Sequence, residues 1–248
     1  MAPDLELFDA VLELADDHLV LGHRLSEWCG HAPMLEEDLA LPNMALDLIG
    51  TARTLYDHAG RLEGQGRDED TLAYLRGDRA YRNLLLVERE NGDFAHTMLR
   101  QLYFSAFMHP YWEAALGSSD AVISGVAGKA VKEMAYHIRH AAEWVIRLGD
   151  GTEESARRMG AAVDALHLYT PELFEEGAAA GCDALPARAA MRGAFDSTIA
   201  QVFAEAGLCV PEVAYPPSGG RRGLHGEELG PMLAEMQSLH RAHPGALW

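Results

Sequence analysis

The sequence predicts an all-α protein, and three observations support this. Apolar residues recur at spacings of three and four over long segments, which is the period of an amphipathic helix. No long segment alternates apolar and polar residues as a β-strand does, and no repeat of fixed period appears. Hydrophobic residues make up 48% and charged residues 23% of the 248 residues, as in a globular domain with a sizeable core. We therefore expect residues 1–248 to form one domain, a bundle of up to about seven helices.

The first two helices are separated by a glycine and a proline. Apolar positions begin at Leu5 and continue at helical spacing until Gly30 and Pro33 interrupt the pattern. The second helix is predicted from about residue 34 to residue 59. Pro42 lies inside this range, so we expect a kink or a late start there, because proline cannot donate a backbone hydrogen bond.

A connection at about residues 62–90 precedes two more long helices. It contains a short helical piece, EDTLAYLRG, and an apolar piece, YRNLLLVE. The third long helix is predicted over about residues 92–115. The sequence Ser-Ser-Asp at 118–120 can supply the N-cap of a fourth helix that ends near residue 148.

The last third of the chain combines two helices with an irregular segment. A fifth helix is predicted from Thr152 to Tyr169 and a sixth over about residues 186–206. The proline- and glycine-rich stretch CVPEVAYPPSGGRRGLHGEELG should be irregular. Its Arg221 and Arg222 could meet an acidic partner or a nucleotide phosphate, but a solvated loop is the preferred interpretation. A short amphipathic stretch, ELGPMLAEMQSLHRAH, ends the chain.

Charge excludes some functions. Lys and Arg number 20 against 38 Asp and Glu, so the formal net charge is −18. A dense phosphate surface would repel such a chain, which argues against nucleic acid or an anionic membrane as partner.

No apolar run is long enough to span a bilayer, and the first residues do not resemble a secretory signal, so we expect a cytoplasmic protein. Cys29, Cys182 and Cys209 are expected to be reduced thiols.

Acid and histidine spacings suggest one possible metal site. The ligands of a di-metal carboxylate bundle are two acid-x-x-His pairs and two lone acids on inward helix faces. This chain offers Asp93-x-x-His96, Asp164-x-x-His167, Glu27 and Glu133. With 38 acids and 12 histidines such pairs also arise by chance. This set is the basis of the alternative that the chain is itself a di-metal oxygenase or oxidase.

Other polar and aromatic residues favour structural roles. Lys129, Glu133 and His140 are interpreted as a polar helix face, whereas His137 is expected to point inward. The aromatic residues between 103 and 112 lie at helical spacing and are expected in the core or an interface. No nucleophile elbow and no phosphate-binding glycine loop is present, so no catalytic or cofactor-binding residue is predicted.

Long blocks of the chain resemble a known family. They are LGHRLSEWCGHAPMLEEDLAL, NMALDLIGTAR, DTLAYLRGDRAYRNLLLVERENGDFAHT, VKEMAYHIRHAAEWVIRLGDGTEES and GLHGEELGPMLAEMQSLHRAHPGALW. In this order, from about Leu5 to Trp248, they are similar to the C subunits of bacterial phenylacetyl-CoA epoxidases, also called ring-1,2-phenylacetyl-CoA oxygenases. The resemblance implies a ferritin-like bundle with extra C-terminal helices.

The resemblance also implies the partners. Such a chain would be the structural subunit of a multicomponent monooxygenase in aerobic phenylacetate catabolism. A homologous A subunit would bind two irons and epoxidise the ring, and a separate reductase would supply electrons through NADPH, flavin and an iron–sulfur centre. No cofactor is then expected in this chain. It would pair with the A subunit and other epoxidase subunits through a large apolar interface, and could self-associate when alone.

The ligand pattern of the catalytic relatives, matched onto this chain, is broken. That pattern runs acid, Glu-x-x-His, acid, Glu-x-x-His along four helices. It falls here on Glu27, Asn43-x-x-Leu46, Asp93 and Met134-x-x-His137. The resemblance therefore implies no catalytic residue and no metal. Leu46 and Met134 are expected to fill the vacated interior, beside a buried polar remnant of Glu27, Asp93 and His137.

Overall fold

The computed structural model describes residues 4–246, and within them the chain forms ten α-helices and no strand. In chain order the helices are α1 (Leu5–Ser26), α2 (Leu35–Glu63), α3 (Glu69–Tyr74), α4 (Leu85–Glu88), α5 (Phe94–Ala115), α6 (Ala121–Gly149), α7 (Glu153–Leu166), α8 (Arg192–Glu205), α9 (Leu229–Met236) and α10 (Ser238–Ala242). The all-α prediction is confirmed. The helices beyond the predicted number are short, since α3, α4 and α10 have 6, 4 and 5 residues. Residues 1–3 and 247–248 of the predicted single domain lie outside the described residues, and that domain assignment stays a prediction.

Four long helices make the bundle. Helix α1 packs along α2, α5 packs along α6, and α2 also meets α6. Helices α7 and α8 cover α5, and the buried apolar side chains form one core cluster. Between Leu7 and Leu25 nearly every residue of α1 is buried, so α1 lies in the interior of the molecule. The extra C-terminal helices lie outside the four-helix core.

Helix starts follow from local capping. The Asp120 side chain accepts hydrogen bonds from the backbone N–H groups of Val122 and Ile123, as the predicted cap of α6 requires. Thr152 caps α7 in the same way. Helix α2 starts at Leu35 and continues through Pro42, so the predicted late start is wrong. The fifth predicted helix is α-helical only to Leu166 and continues as a 3₁₀-helix to Phe174.

The segment before α9 is largely irregular, as predicted, but the position of one of its two arginines differs from the prediction. Arg222 is exposed, whereas Arg221 is buried, with its guanidinium Nη2 2.7 Å from Oδ2 of Asp17 on α1. The expectation of a solvated Arg221 was wrong because an ionised carboxylate inside the bundle needs a positive charge beside it. That contact joins the C-terminal segment to the central helix.

Two smaller expectations concern the surface. Within residues 4–246, no helix is both long and apolar enough to cross a bilayer. All three cysteines are free thiols, as expected, with Cys29 and Cys209 exposed and Cys182 half-buried.

Candidate functional site: the polar centre of the bundle

Two of the predicted remnant acids lie at helix ends rather than in the interior. The Glu27 side chain, at the C-cap of α1, is 44% exposed and forms an ion pair of 2.9 Å with Arg24. Asp93 is the N-cap of α5, where it accepts a hydrogen bond from the backbone N–H of His96 and lies 2.7 Å from ring Nδ1 of the same residue. The expectation that both acids form a buried remnant was wrong. Helix ends leave backbone groups without partners, and Asp93 satisfies one of them.

The predicted pair on α2 is also misplaced. Asn43 is exposed and Leu46 is 66% exposed, so Leu46 does not fill the interior. The interior positions are displaced by one residue, because Met44 is fully buried and Asp47 faces α6. One residue of an α-helix corresponds to a rotation of about 100°, enough to exchange an inward for an outward face.

On α6 the predicted positions are correct. Met134 is 1% exposed and His137 is fully buried, as expected for inward-facing side chains. Met44 on α2 precedes half-buried Asp47 by three positions, and Met134 on α6 precedes buried His137 by three. The two facing helices therefore carry Met44-x-x-Asp47 and Met134-x-x-His137 at matching spacing.

His137 joins three helices at the centre of the bundle. Its ring Nε2 lies 3.3 Å from Oδ2 of Asp47 on α2, and its Nδ1 lies 3.1 Å from the amide nitrogen of Gln101 on α5. Because the Gln101 amide donates to Nδ1, the ring proton is assigned to Nε2, which donates to Asp47. The hydrogen bond from His137 lowers the pKa of Asp47, against the opposing effect of burial. The two residues form a hydrogen-bonded pair that joins α2 to α6.

A second acid lies beside this pair. Oε1 of Glu133 lies 2.7 Å from Nζ of Lys129, one turn earlier on α6. This ion pair confirms the predicted pairing within the helix. Burial raises the pKa of Glu133, and the neighbouring Asp47 raises it further. His140 differs from the expectation of a simple polar face, because it reaches across to Glu37 on α2 at 2.8 Å.

The central helix α1 contributes a histidine but no carboxylate to this centre. His18 is fully buried, and its Nδ1 donates to the carbonyl oxygen of Leu14 at 2.7 Å. The ring lies near Phe104 and Trp112, with centroids 5.2 and 5.7 Å apart. Burial lowers the pKa of His18 to about 4, so the ring is neutral at neutral pH.

The buried acids of α1 are instead paired with arginines. Glu13 lies 2.7 Å from Arg188, and Asp17 lies 2.7 Å from Arg221. Asp16 forms a buried ion pair with Arg76. Each of these carboxylates forms an ion pair that joins another segment of the chain to α1.

The alternative ligand set is not brought together. The pair Asp93 and His96 lies at the start of α5, and Asp164 is exposed on α7. His167 is buried, with Nδ1 3.0 Å from the hydroxyl of Tyr103. Glu27 and Glu133 pair with Arg24 and Lys129.

The residues at the centre do not fit two ferrous ions. Such a pair of ions brings four positive charges, which carboxylates must balance in a medium of low dielectric. The centre supplies two carboxylates, those of Asp47 and Glu133, and the second is paired with Lys129. Its imidazoles are those of His18 and His137, and the neighbouring positions hold methionine thioethers and an amide. In the part of the chain that the structure describes, no group of three or more His, Cys, Asp or Glu side chains is placed to hold a metal ion. The predicted absence of a metal site stays a prediction.

The ligand pattern matched from the resemblance left out Asp47 and Gln101, although both contact His137 at the centre. A usable signal was present for Asp47, since the spacing Met-x-x-Asp on the second helix repeats Met-x-x-His on the fourth. Gln101 had no such signal. It lies among apolar residues of a helix that is buried on nearly all sides.

Comparisons with known proteins identify the family of this chain. The model of the family described as phenylacetic acid catabolic protein matches residues 2–248. The C subunit of 1,2-phenylacetyl-CoA epoxidase from Escherichia coli (strain K12) is 46% identical over 247 residues, covering 96% of this chain and 97% of that relative. The resemblance found from the sequence is confirmed. The chain belongs to the phenylacetic acid catabolic protein family.

Proposed function

We propose that this chain is a subunit of a phenylacetyl-CoA epoxidase in aerobic phenylacetate catabolism, and that it is the non-catalytic scaffold of that complex. The relative from Escherichia coli, similar over nearly the full length of both chains, is named as the C subunit of this enzyme. The observation that carries the scaffold role is the composition of the bundle centre. The positions that face one another hold Met44, Asp47, Gln101, Met134 and His137.

The His137 ring and the charged groups of the centre have partners within the chain, whereas Oε1 of Gln101 and Oε2 of Glu133 lack a hydrogen bond among the described residues. Asp47 and Gln101 satisfy both ring nitrogens of His137, and Lys129 balances Glu133. Met44 and Met134 fill interior volume with apolar contacts, which stabilises helix packing. The chain would then contribute a rigid surface that orders its partner rather than reacting groups.

The reaction itself is assigned to the partners. A homologous A subunit would hold the two irons and epoxidise the aromatic ring of the aryl-CoA. A reductase subunit would supply electrons from NADPH through flavin and an iron–sulfur centre. We propose no cofactor for this chain.

Metal content tests the scaffold role directly. The chain is purified from iron-supplemented cells in parallel with the catalytic subunit, and iron per chain is measured in both. We expect near zero iron here and about two irons in the catalytic subunit. About two irons per chain would contradict the proposal and support the alternative of a di-metal oxygenase.

Two variants would then locate the metal in that alternative. Asp47→Ala should abolish binding if the bundle centre holds it, and Asp93→Ala should do so if the alternative ligand set holds it.

Activity of the reconstituted complex gives a second test. Asp47→Asn keeps the size of the side chain and removes its charge, so a metal ligand or proton-transfer role would be lost. For a scaffold we expect epoxidation to stay within about twofold of the wild-type rate. A loss of about a hundredfold in a folded, correctly assembled complex would place chemistry in this chain.

A further inference from the structure

The loop between Arg221 and α9 is held to the rest of the chain by a histidine. Residues 224–227 have no regular secondary structure, and we call them the His225 loop. Among the hydrogen bonds of the described residues, three join this loop to the chain outside the C-terminal segment, two through the His225 ring and one through a backbone N–H. The anchors on either side do not involve the histidine, because Arg221 pairs with Asp17 and Leu229 is fully buried.

Both ring nitrogens of His225 face acceptors. Nδ1 lies 2.7 Å from Oε2 of Glu88, and Nε2 lies 3.0 Å from the backbone carbonyl oxygen of Tyr81. A neutral imidazole has one N–H group and can donate at only one of these positions. The other nitrogen would then direct its lone pair at an oxygen lone pair. The geometry therefore favours the imidazolium, in which both nitrogens donate.

Glu88 is the countercharge of this imidazolium. Its side chain is fully buried, and that of His225 is 5% exposed. Besides the ring, the Glu88 carboxylate accepts from the backbone N–H of Gly226 at 2.6 Å and from the side-chain amide of Asn83 at 2.9 Å. Three donors around one carboxyl group favour its ionised form. Burial opposes the charge of the ring, but the hydrogen bonds with Glu88 and with the Tyr81 carbonyl outweigh it, so the pKa of His225 is raised.

The other charged groups near the ring do not replace Glu88. On α1, the negative charge of Asp16 also favours the imidazolium, whereas the Arg24 guanidinium binds the backbone carbonyl oxygens of Glu88 and Glu228. Arg89 and Glu228 form an ion pair of 2.6 Å with each other. The remaining charged residues beside the loop or within it are Asp78, Arg79, Arg82 and Glu227.

A surface cleft brings water to the loop. The cleft has a volume of about 220 Å³, and its walls include Asp78, Arg79, Leu224, His225 and Leu229. The Leu224 side chain is largely exposed, so the loop buries little apolar surface of its own. Segments with few buried contacts and solvent-accessible hydrogen bonds open without unfolding of the whole protein.

We propose that His225 is a pH-sensitive switch, and that the His225 loop opens locally when the ring loses a proton. Deprotonation leaves one ring nitrogen without a hydrogen bond to its acceptor, and the buried Glu88 loses its countercharge. Because the closed loop has the raised pKa, it is favoured at low pH, and opening increases as the pH rises through that pKa. Opening exposes the Glu88 carboxylate to the cleft, while Arg221 and Leu229 hold the flanking segments in place. The switch does not depend on the proposed function.

Hydrogen exchange of the intact chain tests the switch. The backbone N–H of Gly226, which donates to Glu88, reports whether the loop is closed. Exchange is measured from about pH 6 to about pH 9 and corrected for the intrinsic rate at each pH. We expect the opening equilibrium at Gly226 to rise about tenfold or more, as for the loss of one hydrogen bond to a charged group. The amide of Leu102, buried in α5, should show no such rise.

A matched pair of variants isolates the histidine. His225→Gln cannot become charged, so its corrected exchange at Gly226 should be faster than that of the wild type at about pH 6 and independent of pH. His31→Gln, at an exposed position after α1, should keep the wild-type profile. Nitrogen NMR of the wild-type His225 ring should show two N–H groups at about pH 6 and one at about pH 9.

The supporting result is a rise at Gly226 that disappears in His225→Gln and persists in His31→Gln. A wild-type profile that is independent of pH would overturn the switch, as would a rise that persists in His225→Gln. A His225 ring with a single N–H at about pH 6 would also contradict it, whether or not the variant folds. Equal loss of protection at Gly226 and Leu102 would show global unfolding in place of local opening, and would overturn it too.

Discussion

The buried ion pair between the C-terminal segment and α1 should dominate the stability of this region. Arg221 binds Asp17 through two hydrogen bonds, with Nη2 2.7 Å from Oδ2 and Nη1 3.0 Å from Oδ1. The side chains are 3% and 0% exposed. Arg221 Nη1 also donates to the carbonyl oxygen of Arg82 at 2.8 Å. One side chain therefore joins α1, the segment before α4 and the C-terminal segment.

Removing Arg221 leaves a buried carboxylate without a countercharge. In Arg221→Ala, the described partner left to Asp17 is the backbone N–H of Leu84. Burial already raises the pKa of Asp17 to about 6 with Arg221 present. Breaking a buried pair at one partner costs about 3–5 kcal/mol of the free energy of unfolding. For a chain of this size we expect the melting temperature to fall by roughly 6–20 °C.

Urea denaturation measures this cost, and the neighbouring arginine is the control. The side chain of Arg222 is 60% exposed and lies 3.9 Å from Glu175, so Arg222→Ala should cost less than about 1 kcal/mol. Replacing both members of the buried pair, Arg221→Met with Asp17→Leu, should recover most of the loss because no unpaired charge remains. An Arg221→Ala variant within about 1 kcal/mol of the wild type would refute the reasoning, as would equal losses for the two arginines.

Three further predictions concern pH and packing. Burial lowers the pKa of His225, but hydrogen bonding with Glu88 and a backbone carbonyl outweighs it and raises the pKa above 6.5. This contribution to stability is present below pH 6.5 and is lost as the pH rises through the raised pKa, so urea titrations of His225→Gln should lack that loss. Burial lowers the pKa of His18 from 6.5 to about 4, so about 3 kcal/mol of stability should be lost as the pH falls through this range, and less in His18→Phe. A β-carbon on Gly220 would overlap a backbone carbonyl, so Gly220→Ala should cost about 2 kcal/mol or more in thermal unfolding, whereas Gly230→Ala, with open space around it, should cost under about 0.5 kcal/mol.

Local features of the fold were accessible from the sequence because their causes are local. Helical periodicity extends over neighbouring residues, so the long helices could be placed within a few residues of their ends. The cap at Asp120 accepts from N–H groups two and three positions later, and so could also be predicted. The aromatic residues of α5, including Tyr103 and Trp112, are buried as expected.

The candidate centre could be predicted only in part. Met134 and His137 were placed correctly because α6 has a clear apolar face. On α2 the matched pattern was displaced by one residue. It assigned Leu46, which is exposed, to the position beside His137 that Asp47 occupies in the structure. The surroundings of Pro42 offered weak periodicity to correct this, since polar and apolar residues are mixed there.

The sequence by itself determined the all-α class, the long helices, the excess of acidic charge and the family. The tertiary structure decided which side chains meet. Asp47 and His137 are 90 positions apart, and Asp17 and Arg221 are 204 apart. Such contacts depend on the rotation and relative position of whole helices, which no local pattern specifies. For this reason the polar centre and the buried Arg221 emerged only from the packed chain.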